Sequence, residues 1–195
     1  MNNQPNMTPS LRDLAQFISP NPKAQEKALF FTESSGDDLA KHKEQFQNWE
    51  DNHCAIIIDT TACYDFKNIE YLNELAEFFS GPVLRYHDFR EQDEIFDSRI
   101  VGFHGVVVDM QHAKAKEIFD WNESAKSVHF RLIPHVKEHG DWQKAVPLQS
   151  RFIYLSEGFG ESLPPAVDPK NHWFIGEENV ANKAPLKIIV NQNHQ

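Results

Sequence analysis

The sequence predicts an α/β fold, a lean (β/α)8 barrel of the TIM type in which some outer helices are shortened or missing. Eight short apolar runs rich in Val, Ile and Phe recur along the 195 residues. Their apolar residues follow one another instead of alternating, which is typical of parallel strands covered on both faces. The runs mostly start about 22–28 residues apart, which suits right-handed βα units, and eight such units predict a closed barrel. An open doubly wound sheet is the alternative, but the chain has no G-x-G-x-x-G turn of the dinucleotide-binding kind.

The apolar runs define the predicted strands. In chain order they are Ala28–Phe31, Cys54–Asp59, Pro82–Tyr86, Gly105–Met110, Val128–Val136, Arg151–Ser156, His172–Gly176 and Lys187–Asn191. Aromatic side chains on or beside these strands are expected to fill the barrel interior in layers. They are Phe30, Phe31, Phe130 and Phe152.

Charged stretches of helical period separate the early strands and predict the outer helices. These stretches are Asp37–Asn52, Lys67–Phe79, Glu91–Ile100 and Gln111–Ala125. The second half is leaner, with a short helix predicted at Glu138–Ala145, a proline-rich loop at Phe159–Asn171 and one or two turns at Glu177–Lys183. Residues 1–22 are predicted to be a flexible leader with a short helix at Leu11–Ile18, and residues 23–195 a single barrel domain.

Composition argues against several classes of partner. The formal net charge is -10 without a long basic run, so nucleic acid and anionic membrane surfaces are disfavoured. No apolar run reaches the roughly 18–20 residues needed to cross a bilayer, and the polar segment Met1–Ser10 does not read as a secretory signal. Two cysteines, Cys54 and Cys63, make neither a disulfide framework nor a zinc site. We expect a cytoplasmic protein, and the missing outer helices near strands 6 to 8 indicate uncovered barrel surface and hence a homodimer.

Active sites of such barrels lie at the C-terminal ends of the strands. The predicted rim comprises Glu33, Ser34, Asp59, Thr60, Tyr86, His87, Asp88, Asp109, His112, His135, Ser156, Glu157, Glu177 and Asn191. Since any barrel is polar where its strands meet water, a rim without a ligand is the alternative. Asp109, His112, His87 and His135 are residue types that bind zinc or iron, but no H-x-H or H-E-x-x-H spacing accompanies them. We therefore expect neither a metal nor another cofactor at the rim, and a small molecule as the ligand there.

Three segments carry a resemblance to one enzyme family. Ala55–Tyr64 reads AIIIDTTACY, Gly81–Arg85 reads GPVLR, and Asp93–Arg99 reads DEIFDSR and is followed by Gly102–Val108. Together they resemble the second to fourth strands of indole-3-glycerol-phosphate synthases, whose patterns there are A-I-S-V-L-T-D-x-x-Y-F, L-P-V-L-R-K-D-F and Y-Q-I-Y-E-A-R-x-x-G-A-D-A-V-L-L. The resemblance covers about a quarter of the chain with little or no net gap, and it implies a barrel derived from this family.

The departures from that family concern its catalytic residues. Apolar residues around Leu29 and Phe31 replace a Glu-x-Lys pair, and Tyr86 falls where the third strand carries its lysine, the general acid. Pro134 falls at or near the fifth-strand glutamate, and only Glu177 matches the seventh-strand glutamate. The glycines that would let backbone N–H groups grip a substrate phosphate are missing after strands 7 and 8.

Two functional hypotheses follow from the resemblance. In the first, the barrel has lost synthase activity and acts as a ligand-binding, regulatory or protein-interaction module. In the second, it is a lyase-type or isomerase-type enzyme of tryptophan biosynthesis or related small-molecule metabolism, with Tyr86, His87, Asp88 and Glu177 as its catalytic residues.

Overall fold

A computed structural model describes residues 27–32, 45–62, 72, 75, 78–156, 163–165, 167–168, 171–176 and 187–192. Eight parallel strands form a closed barrel in chain order. The strands are β1 Lys27–Thr32, β2 Ala55–Asp59, β3 Val83–His87, β4 Gly105–Asp109, β5 Arg131–Val136, β6 Phe152–Leu155, β7 Trp173–Gly176 and β8 Lys187–Gln192. The barrel closes where β8 pairs with β1, with Val190 opposite Ala28. The predicted fold is confirmed, and the largest shift of a strand boundary is at β5, which begins at Arg131 and not at Val128.

The outer helices are α1 Phe46–Asn52, α2 Gln92–Val101, α3 Ala115–Ser127 and α4 Trp142–Ala145. Short 3₁₀ turns at His139–Asp141 and Val146–Leu148 flank α4. Leu72, Leu75 and Phe78 are also helical, within the predicted Lys67–Phe79 helix. Helix α3 begins later than predicted, because the chain is still extended at Lys114, whose N–H donates to the Glu117 carboxylate at 2.9 Å. The leader, the Leu11–Ile18 helix and the Glu177–Lys183 turns lie outside the described residues.

The core has two layers, because successive strand side chains point to opposite sides of the barrel wall. The interior layer includes Ala28, Ile57, Leu84, Val107, Ile133, Phe152, Tyr154, Ile175 and Ile188, with Phe30 and Tyr86 packed against it. A larger layer lies between the strands and the outer helices and includes Leu29, Ile56, Val106 and Leu132. Apolar side chains therefore pack against both faces of β3, β4 and β5, and this packing supports their C-terminal ends.

Two predictions about side-chain layers need correction. Phe30 and Phe152 belong to the interior layer as expected, but Phe130 packs in the outer layer because it precedes the first residue of β5. Leu29 also belongs to the outer layer, so the inward residues of β1 are Ala28 and Phe30. The Phe31 side chain lies outside the described residues.

The barrel wall at strands 6 to 8 is covered where its side chains are described. Ile153, Leu155 and Phe174 are buried in the outer layer, together with Val167 from the loop after β6, and Leu163 packs against that layer. The expectation of uncovered surface is therefore wrong at these positions of β6 and β7, where Val167 and Leu163 contribute to the packing. The homodimer stays a prediction. Within the described part of the chain, no helix has the length and apolar character to cross a membrane.

Candidate active site at the mouth of the barrel

A buried carboxylate lies at the C-terminal end of β4. Asp109 is the last residue of that strand and its side chain is only 1 % exposed. Its Oδ1 accepts the Gln111 N–H at 2.9 Å, and its Oδ2 forms an ion pair with the Lys137 ammonium. Lys137 reaches it because His135 lies opposite Asp109 in the β4–β5 register, and Lys137 follows two residues later on the same side of the chain.

The partners of Asp109 decide its charge. Burial raises the pKa of the Asp109 carboxyl, but the Lys137 ammonium, the Gln111 N–H and the His135 ring outweigh burial and leave the pKa below its ordinary value. Asp109 is therefore ionised at neutral pH, and Lys137, which is about one-third exposed, is its counter-charge.

A neutral imidazole lies beside this ion pair. His135 is buried, its Nε2 lies 2.7 Å from Ser156 Oγ, and its Nδ1 has no hydrogen-bond partner among the described residues. Burial and the Lys137 charge lower the pKa of His135 to about 4, against the opposing effect of Asp109. Since the ring is uncharged at neutral pH, it packs edge-on against Tyr154 with 4.8 Å between ring centroids.

Tyr86 closes the top of the interior layer. Its ring centroid lies 5.4 Å from that of His135 and 6.0 Å from that of Phe30, and its ring is half-buried. Burial and the negative charges of Asp109, Asp59 and Asp88 raise the pKa of the Tyr86 hydroxyl well above its ordinary value. The phenol therefore keeps its proton at neutral pH.

His112 lies between two of these carboxylates. Its Nε2 is 3.3 Å from Asp88 Oδ1 and 3.3 Å from Asp109 Oδ2. Asp88 follows β3 and His112 lies in the turn after β4, so neighbouring loops bring the three side chains together. Whereas Asp109 is buried, the side chains of Asp88 and His112 are partly open to solvent.

Two predicted rim residues lie apart from this cluster. Thr60 is fully buried, and its Oγ1 accepts the Arg85 Nε–H at 2.9 Å. The His87 Nδ1 lies 3.0 Å from the Thr60 carbonyl oxygen, and its ring packs edge-on against Phe89. Burial and the Arg85 charge lower the pKa of His87. Both side chains belong to the packing outside the barrel wall.

Six predicted rim residues remain, and only Asp59 among them has a described side chain. Asp59 is half-buried opposite Tyr86 in the β2–β3 register, and its Oδ1 accepts the Thr61 N–H at 2.9 Å. Asn191 is on β8, but its side chain lies outside the described residues. The other four lie wholly outside them: Glu33, Ser34, Glu157 and Glu177.

Lys137 is the one central residue that is absent from the predicted rim. The predicted fifth strand ends at Val136, so the next residue falls in a predicted loop. The signal is present in the period of two, because residues 131, 133, 135 and 137 share one side of an extended chain. Because alternate residues face the same side, a lysine two positions after an inward-facing histidine also faces the mouth of the barrel.

Comparisons with known proteins support the architecture. The chain matches no protein-family profile, and no curated protein matches it in sequence. Among solved structures it is similar to the tryptophan synthase complex of Pyrococcus furiosus, with 9 % identity, a TM-score of 0.62, and coverage of 87 % of this chain and 88 % of that chain. It is also similar to orotidine 5'-monophosphate decarboxylase from Methanocaldococcus jannaschii, with 10 % identity, a TM-score of 0.63, and coverage of 88 % of this chain and 91 % of that one.

These likenesses show a TIM-barrel fold. At such identities they show the fold alone, and neither neighbour is an indole-3-glycerol-phosphate synthase. The chemistry must therefore be argued from the mouth itself, where an ammonium, a protonated phenol and several carboxylates lie at the ends of β2 to β5.

Proposed function

We propose that this barrel is a small-molecule enzyme of the lyase or isomerase type that moves a proton next to a carbonyl group. Lys137 is the catalytic residue that stabilises negative charge on the substrate oxygen, and Asp109 positions it. Asp59 is the base that accepts the proton from carbon, and the Tyr86 hydroxyl is the proton donor. The barrel does not catalyse the ring closure of indole-3-glycerol-phosphate synthases.

The observation that carries this proposal is the Asp109–Lys137 ion pair. Taking a carboxylate out of water costs several kcal/mol, and a buried pair is weak evidence for stability because apolar residues of similar volume often serve as well. Asp109 is 1 % exposed while Lys137 remains about one-third exposed at the mouth. This arrangement holds an ammonium in place with its donors available, which is what a developing enolate oxygen requires.

The proposed step is balanced within these residues. Asp59 takes a proton from the carbon beside the carbonyl, and the electron pair of that C–H bond moves to form the enolate, whose oxygen accepts hydrogen bonds from Lys137. In a hydroxy ketone, the proton of the substrate hydroxyl moves to the former carbonyl oxygen, and Tyr86 donates a proton to the former carbonyl carbon, so that the carbonyl forms at the neighbouring carbon. Asp59 then returns its proton to the Tyr86 oxygen and restores the phenol. Because its pKa is raised, the Tyr86 phenol keeps its proton at neutral pH, and it is the strongly basic carbon of the reacting substrate that withdraws this proton.

Solvent isotope exchange tests the proposal on a range of carbonyl compounds at once. The purified protein is incubated in D₂O with a panel of sugar phosphates, keto acids and hydroxy ketones, and proton NMR follows the loss of C–H signals beside the carbonyl. We expect exchange in at least one compound, slowed by about 10²–10³ in Lys137→Met because one oxyanion donor is lost. Asp59→Asn is expected to abolish exchange of the same compound.

A matched ion pair on the outer surface provides the control. Lys126 lies 2.8 Å from Glu123 on α3, exposed and remote from the strand ends. Lys126→Met is expected to exchange substrate at the wild-type rate. Saturable binding of a compound that neither the wild type nor any variant exchanges would refute the enzyme and favour the ligand-binding module.

A further inference from the structure

The geometry points to a divalent transition-metal site formed by Asp88, Asp109 and His112 at the mouth of the barrel. This inference goes beyond the proposed reaction, with which it shares only Asp109 and the neighbouring Lys137. Within the described part of the chain, one potential ligand atom from each of the three side chains lies within 4.8 Å of the others.

The spacing of these atoms fits a common metal ion. A metal with bonds of about 2.0–2.2 Å to nitrogen and oxygen holds neighbouring ligand atoms about 3–3.5 Å apart. His112 Nε2 lies 3.3 Å from Asp88 Oδ1 and 3.3 Å from Asp109 Oδ2. Only Asp88 has to move toward Asp109, and its exposed loop position allows that movement. One imidazole and two carboxylates form a donor set for Zn²⁺, Mn²⁺ or Fe²⁺, with positions left open for water or substrate.

The electrostatics of the mouth favour a cation independently of this spacing. Asp59, Asp88 and Asp109 end or follow β2, β3 and β4, and two ammonium groups lie nearby: Lys137 on Asp109, and Lys144 on the Met110 and Ala113 carbonyls. Three carboxylates against two ammonium groups leave an excess of negative charge, which favours a bound cation.

Lys137 and the metal compete for one oxygen. In the described structure the ammonium is on Asp109 Oδ2, the same atom that faces His112. An arriving metal takes over as the counter-charge of Asp109, and the long Lys137 side chain turns toward the open mouth. Metal binding therefore makes Lys137 available to an anionic group of the substrate.

Metal titration of the full-length protein tests the site apart from any turnover. The protein is stripped with a chelator and titrated calorimetrically with Zn²⁺, and Mg²⁺ serves as the hard-cation comparison. We expect one Zn²⁺ per chain, with affinity reduced about tenfold or more in His112→Asn and in Asp88→Asn. These two partly exposed residues are chosen because a change at buried Asp109 risks misfolding.

Two control variants test whether weaker Zn²⁺ binding is specific to the proposed ligands. His129 is exposed before β5, at the opposite end of the barrel, and its φ of 54° suits asparagine, so His129→Asn is the control for His112→Asn. Asp93→Asn, on the exposed first turn of α2, is the control for Asp88→Asn. Both controls are expected to bind Zn²⁺ as the wild type does, and Lys137→Met to bind it several-fold more tightly because a competing cation is removed.

Four outcomes would overturn the site: no stoichiometric Zn²⁺ binding, equal weakening in the control variants, undiminished binding in His112→Asn and Asp88→Asn, or no gain in Lys137→Met. In those cases the contacts of His112 with Asp88 and Asp109 only link two loops. Isotope exchange that persists after chelation while Zn²⁺ binding fails would refute this inference and leave the proposed function intact. Zn²⁺ binding without exchange would do the reverse.

Discussion

At the scale of single residues, His135 couples the proposed site to the stability of the fold. Its pKa is lowered from 6.5 to about 4 because burial and Lys137 disfavour the charged ring. In the unfolded chain the imidazole binds a proton below pH 6.5, while the folded protein resists protonation until about pH 4. Stability is therefore fully present above the unfolded pKa and decreases as the pH falls toward the folded one.

The first prediction follows from this window. The free energy of unfolding should fall by about 3 kcal/mol between pH 6.5 and pH 4 through His135 alone, at about 1.4 kcal/mol per unit of pKa shift. His135→Gln removes the titration, and its amide can still donate to Ser156 Oγ. Urea denaturation at a series of pH values should give a clearly flatter profile for this variant than for the wild type.

Other groups set the remaining slope. His87 also has a lowered pKa and acts in the same direction in both proteins, so the variant keeps part of the slope. Asp109, whose pKa lies below its ordinary value of 3.8, loses its stabilising effect mainly at more acidic pH. His129→Asn should keep the wild-type profile because His129 is exposed. A His135→Gln profile parallel to the wild type would show that the His135 pKa is the same in the folded and unfolded chain, and would contradict the prediction.

The sequence predicts which residues lie at the strand ends better than it predicts the direction in which their side chains point. Asp109, His135 and Tyr86 are identifiable because each ends or follows an apolar run, and all three lie in the cluster. Thr60 and His87 meet the same criterion but point away from the mouth, because which side of a strand faces inward depends on the barrel register. Lys137 escapes prediction for the complementary reason, since the strand direction continues one residue beyond the apolar run.

At the scale of elements, the end of α2 sets the entry into β4. Gly102 follows α2 with a φ of 118°, and its N–H donates to the Arg99 carbonyl at 3.3 Å. The next N–H, of Phe103, donates to the Ser98 carbonyl at 3.1 Å. This left-handed cap turns the chain so that Phe103 is buried and β4 begins at Gly105.

The second prediction concerns that cap. Gly102→Ala should lower the free energy of unfolding by about 1–2 kcal/mol, because alanine rarely adopts a positive φ. No atom lies within 4 Å of the added Cβ, so the cost is conformational and not a clash. Urea denaturation at neutral pH measures the change.

Gly140→Ala is the matched control for the cap. Gly140 lies in the 3₁₀ turn before α4, and an added Cβ there meets only Glu138 Oε1 at 3.7 Å. Its stability should stay within about 0.5 kcal/mol of the wild type or rise slightly. Equal effects of the two substitutions would contradict the role assigned to the left-handed cap.

The elements can be predicted well because each strand is a short continuous apolar segment. The boundaries that differ from the prediction are those set by local backbone geometry. The fifth strand begins late because His129 has a φ of 54°, a turn conformation that does not belong to a strand. Val167, which follows β6 in the chain, is buried in the same layer as Ile153 and Leu155, and a proline-rich stretch carries no periodicity from which such packing can be predicted.

At the scale of the whole molecule, closure of the barrel determines which positions can replace lost catalytic groups. Inward residues of β1 to β3 include Ala28, Phe30, Ala55, Ile57, Leu84 and Tyr86. The resemblance places apolar residues around Leu29 and Phe31 where the family has charged ones. The inward-facing residues of β1 are instead Ala28 and Phe30, and these are apolar too. Successive side chains of a strand point to opposite sides, so Pro134 of β5, which lies between the inward-facing Ile133 and His135, points outward.

The last prediction is that the protein does not convert carboxyphenylamino-deoxyribulose phosphate to indole glycerol phosphate. That ring closure needs a fixed cation over the developing charge and an acid for the leaving hydroxyl. Tyr86 stands where the resemblance places the lysine, and its raised pKa keeps it a neutral phenol that carries no positive charge. Lys137, which directly follows β5, brings a positive group to the mouth; it is held by Asp109 and is displaced by two strands from the family's position.

A fluorescence assay for the indole product decides this, with an authentic synthase as the positive control. Losing several groups that act as a unit leaves little rate beyond the background, so the expected turnover is far more than about a hundredfold below the control. Tyr86→Lys tests the reason: restoring an ammonium on β3 should not rescue the reaction, because β1 still supplies no charged partner at Ala28 or Phe30. Wild-type turnover within about a hundredfold of the control would mean that Lys137 has taken over the role of the third-strand lysine. The Lys137→Met variant would then lose that turnover, whereas Lys126→Met would not.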